Sequence, residues 1–282
     1  MRAHVAEFPV CVMSEVLGVS RSGYYDWAGR AESAHAAADR LLSGEIRAAH
    51  EASRRRYGSP RIHAELRAHG RRVGRKRVAR LMRENHLSAC RKRRRQRTTD
   101  SAHDFPVAAN LLGRKFVAAA PNRVWLADLT YIWTAEGWLY LAVVLDLFSR
   151  RVVGWAMANH LGHELALAAL DMALQRQRPA PGLIHHSDRG VQYAAHGYRR
   201  RLSALGLVCS MSRKGDCWDN APMESFYATL KGELVELRDY LTRDEARADV
   251  FQYVEGFYNR RRRHSAIGYM TPEQKAELAA AA

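Results

Sequence analysis

Three acidic residues in the second half of the chain have types and settings that could support metal-dependent chemistry. Asp128 lies in the apolar stretch VWLADLTYI, Asp188 follows the stretch LIHHS, and Glu224 lies in DNAPMESFYATLKGEL. The first two are separated by 59 residues and the last two by 35. A carboxylate in an apolar strand is unfavourable unless a partner, a proton or a metal ion neutralises it. The three acids are therefore candidates for one shared function.

Carboxylate oxygens are ligands for hard divalent cations, and Mg²⁺ often binds one or two carboxylates together with substrate phosphate and water. Two such ions about 4 Å apart can activate an attacking oxygen and stabilise the leaving oxygen of a phosphodiester displacement. We predict that Asp128, Asp188 and Glu224 are catalytic and bind two Mg²⁺ ions, with Mn²⁺ as a substitute. Asp128 is the natural bridge between the ions. Lys231 lies two helical turns after Glu224 on the same face, where it is predicted to contact DNA.

Each acid also has an ordinary structural interpretation. Asp146 is another acid in an apolar strand, Asp188 sits in a turn-forming Ser-Asp-Arg-Gly sequence, and Glu224 could interact only with a helix dipole. The joint occurrence of the three acids favours catalysis. His185 and His186 precede Asp188; packing is favoured for both, and a substrate contact by His186 stays open.

The elements that position these acids follow a recognisable order. Three β-rich runs begin at Asn122, and they are followed by a helix, a strand ending near Asp188, a helix from about Tyr193 to Ala204, a short strand, and the helix that bears Glu224. This is the order of the ribonuclease-H-like fold, an α/β fold with helices on both sides of a mixed sheet. We predict a catalytic core over 119–240, with a loop at 214–220 that closes over the site.

Charge is concentrated in the first part of the chain. The formal net charge is +16, and residues 1–100 hold 23 Lys and Arg against 10 acids, whereas the rest holds 22 against 19. Between Arg54 and Arg97 there are 18 basic and two acidic residues, an excess that favours phosphate contact. The predicted DNA-binding residues are Arg54, Arg55, Arg56, Arg61, Arg75, Lys76, Arg77, Arg91, Lys92, Arg93, Arg94 and Arg95.

The regions outside the core are predicted to be helical. An all-α helix-turn-helix DNA-binding region is predicted to precede the α/β domain. Val10, Met13, Val16 and Leu17 have helical spacing, and Ser20 is a good cap for a second helix. The predicted divisions are a helix-turn-helix-like segment (1–33), a basic helical DNA-binding domain (34–88), a basic linker (89–118) and a C-terminal basic helical extension (241–282).

Several classes of protein are disfavoured by the sequence. No apolar run approaches the roughly 20 residues that cross a bilayer, so no membrane partner is predicted. The four cysteines form no CxxC pair, which argues against a structural zinc site and a disulfide framework. We expect a soluble protein of the cytoplasm.

The motifs together resemble a known family. WLADLTYI, HHSDRGVQY, GDCWDNAPMESFYATLKGEL and FYNRRRRHSAIGYMTPEQ are similar to the second-frame product (OrfB) of bacterial insertion sequences of the insertion-sequence-three family, and VLGVSRSGYYDW and RRRYGSPRIHAEL extend the resemblance over nearly the whole chain. The resemblance implies a DDE transposase with a retroviral-integrase-like core that acts with Mg²⁺ on the terminal inverted repeats of its element and on target DNA. Asp128, Asp188 and Glu224 occupy the matching catalytic positions, and Lys231 matches the trailing basic residue.

The resemblance also implies a reaction and partners. Water attacks at an element end and frees a 3′-hydroxyl, and that hydroxyl then attacks another phosphodiester. The family implies a copy-type route and a homo-oligomer on DNA. In the family the active protein is generally a frameshift fusion with an upstream helix-turn-helix and leucine zipper, and this chain begins after both. We therefore expect the upstream-frame product (OrfA), or a fusion to it, as a partner. The alternatives are a non-catalytic DNA-binding regulator of transposition and a ribonuclease or resolvase on the same fold.

Overall fold

The computed structural model describes residues 1–89, 107–213 and 217–281, without the side chain of Cys217. Most of the predicted linker and part of the predicted loop at 214–220 therefore lie outside the described residues. The predicted DNA-binding residues that also lie outside them are Arg91, Lys92, Arg93, Arg94 and Arg95.

The N-terminal region is helical, as predicted. A 3₁₀ turn at Arg2–His4 precedes the helices, which are α1 (Val10–Val16), α2 (Arg21–Gly29), α3 (Ala34–Ala52), α4 (Ser59–Ala68) and α5 (Arg75–Glu84). The Ser20 hydroxyl caps α2 by accepting a hydrogen bond from the Gly23 N–H at 2.9 Å. The apolar stripe predicted in α1 is not a core face, because Val16 is 78% and Leu17 58% exposed, although Met13 is buried.

Helices α3, α4 and α5 form a compact unit with its own apolar contacts. Ile46 of α3, Ile62 of α4 and Val78 of α5 are fully buried. Leu66 of α4 and Leu81 and Met82 of α5 are also buried, so each of these helices turns an apolar face to this core.

A mixed five-stranded sheet forms the centre of the second half. Its strands are β1 (Val124–Thr134), β2 (Gly137–Asp146), β3 (Val152–Ala158), β4 (Ile184–Ser187) and β5 (Val208–Met211). The spatial order is β3-β2-β1-β4-β5, with antiparallel β1–β2 and β2–β3 pairs and parallel β1–β4 and β4–β5 pairs. This arrangement confirms the predicted ribonuclease-H-like sheet, in which β1 is the central strand.

Further helices connect the strands or follow them in the chain. They are α6 (His163–Gln177), α7 (Val191–Ala194), α8 (His196–Ala204), α9 (Ala221–Glu233), α10 (Arg243–Phe251) and α11 (Pro272–Ala280), with a π-helix at Gln252–Tyr258 and 3₁₀ turns at Cys217–Asn220, Val235–Leu237 and Ser265–Ile267. None of the helices among the described residues is long and apolar enough to traverse a lipid bilayer.

The single helix predicted from Tyr193 to Ala204 is two helices. Ala195 has φ −54° and ψ 140°, which ends α7 and begins α8. The buried rings of Tyr193 and Tyr198 pack edge to face at 5.3 Å. Residues five apart on a continuous helix project about 140° apart, so the break allows both rings to enter one core.

The two faces of the sheet belong to two apolar cores. Trp125, Ala127 and Val144 pack with α6, α7 and α8 on one face. The other face packs with α9, α10 and the π-helix, and its core is continuous with that of α3 to α5. Ala246 and Val250 of the segment predicted as a C-terminal extension are fully buried in this second core.

A close approach between β3 and α6 generates a prediction about stability. A Cβ added at Gly154 would meet Ala173 N at 2.6 Å and Ala173 Cβ at 2.8 Å, as well as the Ala169 carbonyl oxygen. We expect Gly154→Ala to lower the free energy of unfolding by about 1–3 kcal/mol, because the packed elements must separate. Urea unfolding measures the change.

Gly44→Ala is the matched control for this prediction. Gly44 lies in α3 with open space around the added Cβ, so alanine should stabilise the helix by about 0.5–1 kcal/mol. Equal stability of Gly154→Ala and the native protein would contradict the close packing of α6 on β3.

Candidate active site

Parallel pairing of β1 and β4 brings two of the predicted catalytic acids together. Ala127 pairs with Ser187, so Asp128 and Asp188 are the next residues along two neighbouring strands. Neighbouring strands lie about 4.8 Å apart, and paired residues project to the same face. The two carboxylates, 59 residues apart in sequence, are therefore side by side.

Helix α9 places Glu224 at the same location through two hydrogen bonds to β1. The Asn220 side-chain amide, just before the helix, donates to the Ala127 carbonyl at 3.2 Å. The Tyr227 hydroxyl, one turn after Glu224, donates to the Asp128 carbonyl at 2.6 Å. Glu224 lies in the first helical turn between these two contacts, as predicted.

The electrostatics of Asp128 reflect this convergence. Burial raises the pKa of the Asp128 carboxyl, and the negative charges of Asp188 and Glu224 raise it further. The hydrogen bond from the Leu129 N–H to Asp128 Oδ1, at 2.8 Å, and the charge of Lys231 act in the opposite direction. Asp188, Glu224 and Lys231 thus all lie within electrostatic reach of Asp128.

Lys231 lies on the same side of α9 as the acids. Its ammonium group is 5.0 Å from the ring centre of Tyr131, and its charge reaches Asp128. Asp128, Asp188, Glu224 and Lys231 are all partly exposed, so each residue is accessible from solvent.

The turn after β4 orients Asp188. Its Oδ1 accepts a hydrogen bond from the Gly190 N–H at 2.9 Å, and the Ser187 hydroxyl donates to the Asp188 carbonyl at 2.9 Å. Asp188 therefore takes part in the turn that its Ser-Asp-Arg-Gly sequence suggested. Its carboxylate nevertheless lies beside that of Asp128.

Among residues 1–89, 107–213 and 217–281, no three His, Cys, Asp or Glu side chains form a ready-made metal site. The donor set nevertheless fits a hard divalent cation, because carboxyl groups from β1, the turn after β4 and α9 converge, and carboxylate oxygens are ligands for Mg²⁺. A bound cation would relieve the repulsion that raises the pKa of Asp128.

Asp146, His185 and His186 have structural roles. Asp146 accepts hydrogen bonds from the Asn122 N–H and the Ser149 N–H and hydroxyl, which fixes the turn between β2 and β3. Both histidines are buried, and burial lowers the pKa of His185 to about 3 and that of His186 to about 4. The prediction that they pack is confirmed.

Asp219, for which no clear sequence signal exists, connects three parts of the site. Its buried carboxylate accepts hydrogen bonds from Asn110, Arg114 and Arg213, with Arg213 contributing its N–H, Nε and Nη2. Hydrogen bonding by Arg213 holds the pKa of Asp219 well below its usual range. Asp219 thereby joins the segment before β1, the end of β5 and the start of α9.

The predicted DNA-binding residues of the helical region differ in their contacts. Arg75 and Lys76 are exposed at the start of α5. Arg77 pairs with Asp39 at 2.6 Å, Arg54 donates to the Gln252 side chain at 3.2 Å, and Arg55 pairs with Glu51.

Two of the predicted DNA-binding residues pack against the C-terminal region. Arg56 is buried, with its guanidinium 5.1 Å from the Tyr253 ring and 4.8 Å from the Phe257 ring. Arg61 donates from Nε to the Arg263 carbonyl at 3.0 Å, and its Nη1 is 3.9 Å from Glu233. A run of charges in sequence does not reveal such partners.

Comparisons with known families and proteins agree with this architecture. Residues 118–217 and 205–272 match families that are both described as Integrase core domain, and residues 36–96 match a family described as HTH-like domain. The insertion element IS600 uncharacterized 31 kDa protein of Shigella sonnei is 50% identical over 260 residues, covering 92% of this chain and 96% of that protein. The transposase InsF for insertion sequence IS3A of Escherichia coli (strain K12) is 44% identical over 273 residues, covering 96% and 95%.

Solved structures with a similar arrangement include viral integrases. A chain of the simian T-cell lymphotropic virus intasome in complex with PP2A regulatory subunit B56 gamma has a TM-score of 0.48 and 19% identity, covering 76% of this chain and 69% of that one. The HTLV-2 integrase catalytic core domain in complex with magnesium has a TM-score of 0.44 and 15% identity, covering 56% and 99%.

The contacts of Asp219 generate a prediction about stability and pH. Removing its charge leaves the two arginines without their carboxylate, so we expect Asp219→Asn to lower the free energy of unfolding by about 3 kcal/mol at neutral pH. Because the pKa of Asp219 is lowered on folding, its contribution is complete above about pH 5 and is lost as the pH falls below about 4. Urea unfolding of both proteins as a function of pH measures this.

Asp171→Asn is the control, since Asp171 pairs with Arg201 in a largely exposed setting and should contribute less than about 1 kcal/mol. A native protein and an Asp219→Asn variant of equal stability at pH 7 would show that Asp219 does not hold these segments together.

Proposed function

The chain belongs to the family of transposases of the IS3 insertion sequences, and we propose that Asp128, Asp188 and Glu224 are the residues with which it cleaves and joins DNA. The protein is a DNA-cleaving, strand-transferring transposase with an integrase core domain and an HTH-like domain. The observation that carries the residue assignment is the pairing of Ala127 with Ser187, which makes Asp128 and Asp188 neighbours. The attachment of α9 to β1 on either side of Glu224 supports the third position.

The reaction that we assign has two displacements at phosphorus. In the first, a water oxygen attacks the phosphodiester at an element end, the bond to the 3′ oxygen breaks, and a 3′-hydroxyl is released. In the second, that hydroxyl oxygen attacks a phosphodiester of another strand, a new bond to phosphorus forms, and the bond to the 3′ oxygen of that strand breaks, which leaves a 3′-hydroxyl there. The ends of the element are its terminal inverted repeats. We include the copy-type route in the same proposal.

Two Mg²⁺ ions, with Mn²⁺ as a substitute, are the cofactor that this donor set fits. When bound, they supply activation of the attacking oxygen and stabilisation of the leaving oxygen. Asp128 would contact both ions, and Asp188 and Glu224 would each hold one. The Leu129 N–H holds Asp128 Oδ1 in place, and the cation of Lys231 offsets the charge of the incoming phosphate.

Exposed basic residues of the helical region support a model for DNA binding outside the core. Arg75 and Lys76 lie at the first turn of α5, in the part of the chain that matches the HTH-like family. We propose that they contact phosphates near the terminal inverted repeats in a homo-oligomer on DNA, and that the upstream-frame product or a fusion to it completes end recognition. The same DNA affinity would associate the protein with the nucleoid.

The first test replaces each acid by its amide. We expect Asp128→Asn, Asp188→Asn and Glu224→Gln each to reduce cleavage and strand transfer by at least about 10³-fold, because each removes a charged ligand while leaving the side-chain shape. DNA binding should survive. Gel assays on labelled element ends with Mg²⁺ measure cleavage and joining, and mobility shifts measure binding.

Glu164→Gln is the matched control for Glu224→Gln, since Glu164 also lies in the first turn of a helix, α6, and is exposed. It should keep native activity. Normal strand joining by Glu224→Gln would refute the assignment of that residue. DNA binding by the native chain without any cleavage, in the presence of its upstream-frame partner, would instead favour the non-catalytic regulator.

The second test counts the ions. Titration of Mn²⁺ into the protein bound to an element end should give two sites for the native protein and one for Glu224→Gln, because that residue holds only one ion in this scheme. Calorimetry or electron paramagnetic resonance provides the count. A native protein with a single site, or an unchanged count in Glu224→Gln, would contradict the two-ion proposal.

A further inference from the structure

The tip of the β1–β2 hairpin carries three aromatic side chains on one face of the sheet. Trp133 of β1 pairs with Trp138 of β2, and Tyr131 lies two residues before Trp133 on the same face. The Trp133 and Trp138 rings are 4.8 Å apart and the Tyr131 and Trp138 rings 4.9 Å apart, both in edge-to-face contact. Trp133 is 60% and Trp138 42% exposed, so two indoles are presented to solvent.

Lys231 links this aromatic face to the catalytic site. Its ammonium lies over the Tyr131 ring, and its charge reaches Asp128. Trp133 is five positions after Asp128 in β1, a length of about 17 Å at about 3.4 Å per residue, and this odd spacing places the two side chains on opposite faces of the strand. A strand of DNA that reaches from the carboxylates to the two exposed indoles would therefore pass Lys231 at the edge of β1.

Several hydrogen bonds fix the hairpin tip beneath the aromatic face. The Thr134 hydroxyl donates to the Gly137 carbonyl at 2.7 Å, and the Ala135 N–H donates to the Tyr240 carbonyl at 2.9 Å. Arg243 Nε donates to the Trp138 carbonyl at 3.1 Å, and its N–H donates to the Glu136 side chain. The aromatic rings thus stand on a rigid support, which limits the entropy lost when a ligand binds.

We propose that Trp133 and Trp138 stack on unpaired bases of the DNA strand whose phosphodiester lies at the catalytic carboxylates. Every base offers a π face, and aromatic rings combined with a cation are the features that bind single strands without sequence preference. The distance of about 17 Å corresponds to about five stacked nucleotides at about 3.4 Å each, so the bases concerned lie within about five positions of the reacting phosphate. This inference rests on the proposed function of the three acids.

The exposed indoles could instead have a purely structural role or bind another protein, and each alternative predicts a different effect on DNA affinity. Cross-strand aromatic pairs stabilise hairpins, and that role alone would change stability but not DNA affinity. An apolar patch can also bind another protein, including a second copy of the chain. The adjacent Lys231, whose charge also reaches Asp128, favours a nucleic-acid strand.

The experiment compares two DNA probes in EDTA, so that catalysis does not contribute. One is a blunt duplex, and the other is the same duplex with a tail of about six unpaired thymidines that contains one 2-aminopurine. For the native protein we expect tighter binding of the tailed duplex and quenching of the 2-aminopurine by an indole. Trp133→Ala and Trp138→Ala should each weaken tailed binding by about 5- to 50-fold and leave blunt binding unchanged.

A second pair of variants keeps the test valid if alanine disturbs the fold. Trp133→Phe retains a ring and should keep most of the tail preference, whereas Trp133→Leu retains apolar volume without a ring and should lose it. Thermal unfolding reports the stability of each variant. Phe251→Ala is the matched control, because Phe251 is 53% exposed and packs edge to face on Trp155 at the opposite side of the sheet, beside β3.

Three outcomes would overturn the proposal. The first is an equal loss of affinity for the blunt and the tailed duplex in the alanine variants. The second is an equal tail preference of Trp133→Phe and Trp133→Leu. The third is self-association of the native protein through the indoles, measured by light scattering, while affinity for the tailed duplex does not depend on them. Glu224→Gln should retain the tail preference. A failure of the catalytic assignment is thereby distinguishable from a failure of base stacking.

Discussion

The parallel pairing of β1 with β4 is the constraint on which the site depends. It places Asp128 and Asp188 one step beyond the Ala127–Ser187 pair, where two like charges raise the free energy of the folded protein. Backbone hydrogen bonds and the apolar cores on both faces of the sheet oppose that repulsion. The acids are brought together by the fold.

The position of Glu224 is set by backbone contacts in the same way. Asn220 and Tyr227 bind the carbonyls of Ala127 and Asp128, so α9 is anchored to the strand without using any carboxylate. Asp219, beside Asn220, fixes the preceding turn through Arg114 and Arg213. An amide in place of a catalytic acid should therefore leave the arrangement intact, which is why amide variants separate chemistry from folding.

The sequence predicted the parts of this arrangement that depend on local pattern. The β-rich runs identified the strands, and the Ser20 cap identified the start of α2. Contacts between residues far apart in sequence were not predictable. Arg56 packs on Tyr253, and the break at Ala195 allows the Tyr193 and Tyr198 rings to enter one core. In each case tertiary packing overrides the pattern of charge or helix propensity in the local sequence.

The arginines of the C-terminal region connect the two halves of the molecule. Arg263 pairs with Glu65 of α4, while buried Arg262 pairs at 2.8 Å with Glu233, the last residue of α9. Because α9 also carries Glu224 in its first turn, the unit of α3 to α5 is attached to this helix through a short series of ion pairs. Helix α5 is thus held at a defined position relative to the three acids. Some arginines of the basic sequence runs therefore fix the relative position of the two halves of the molecule.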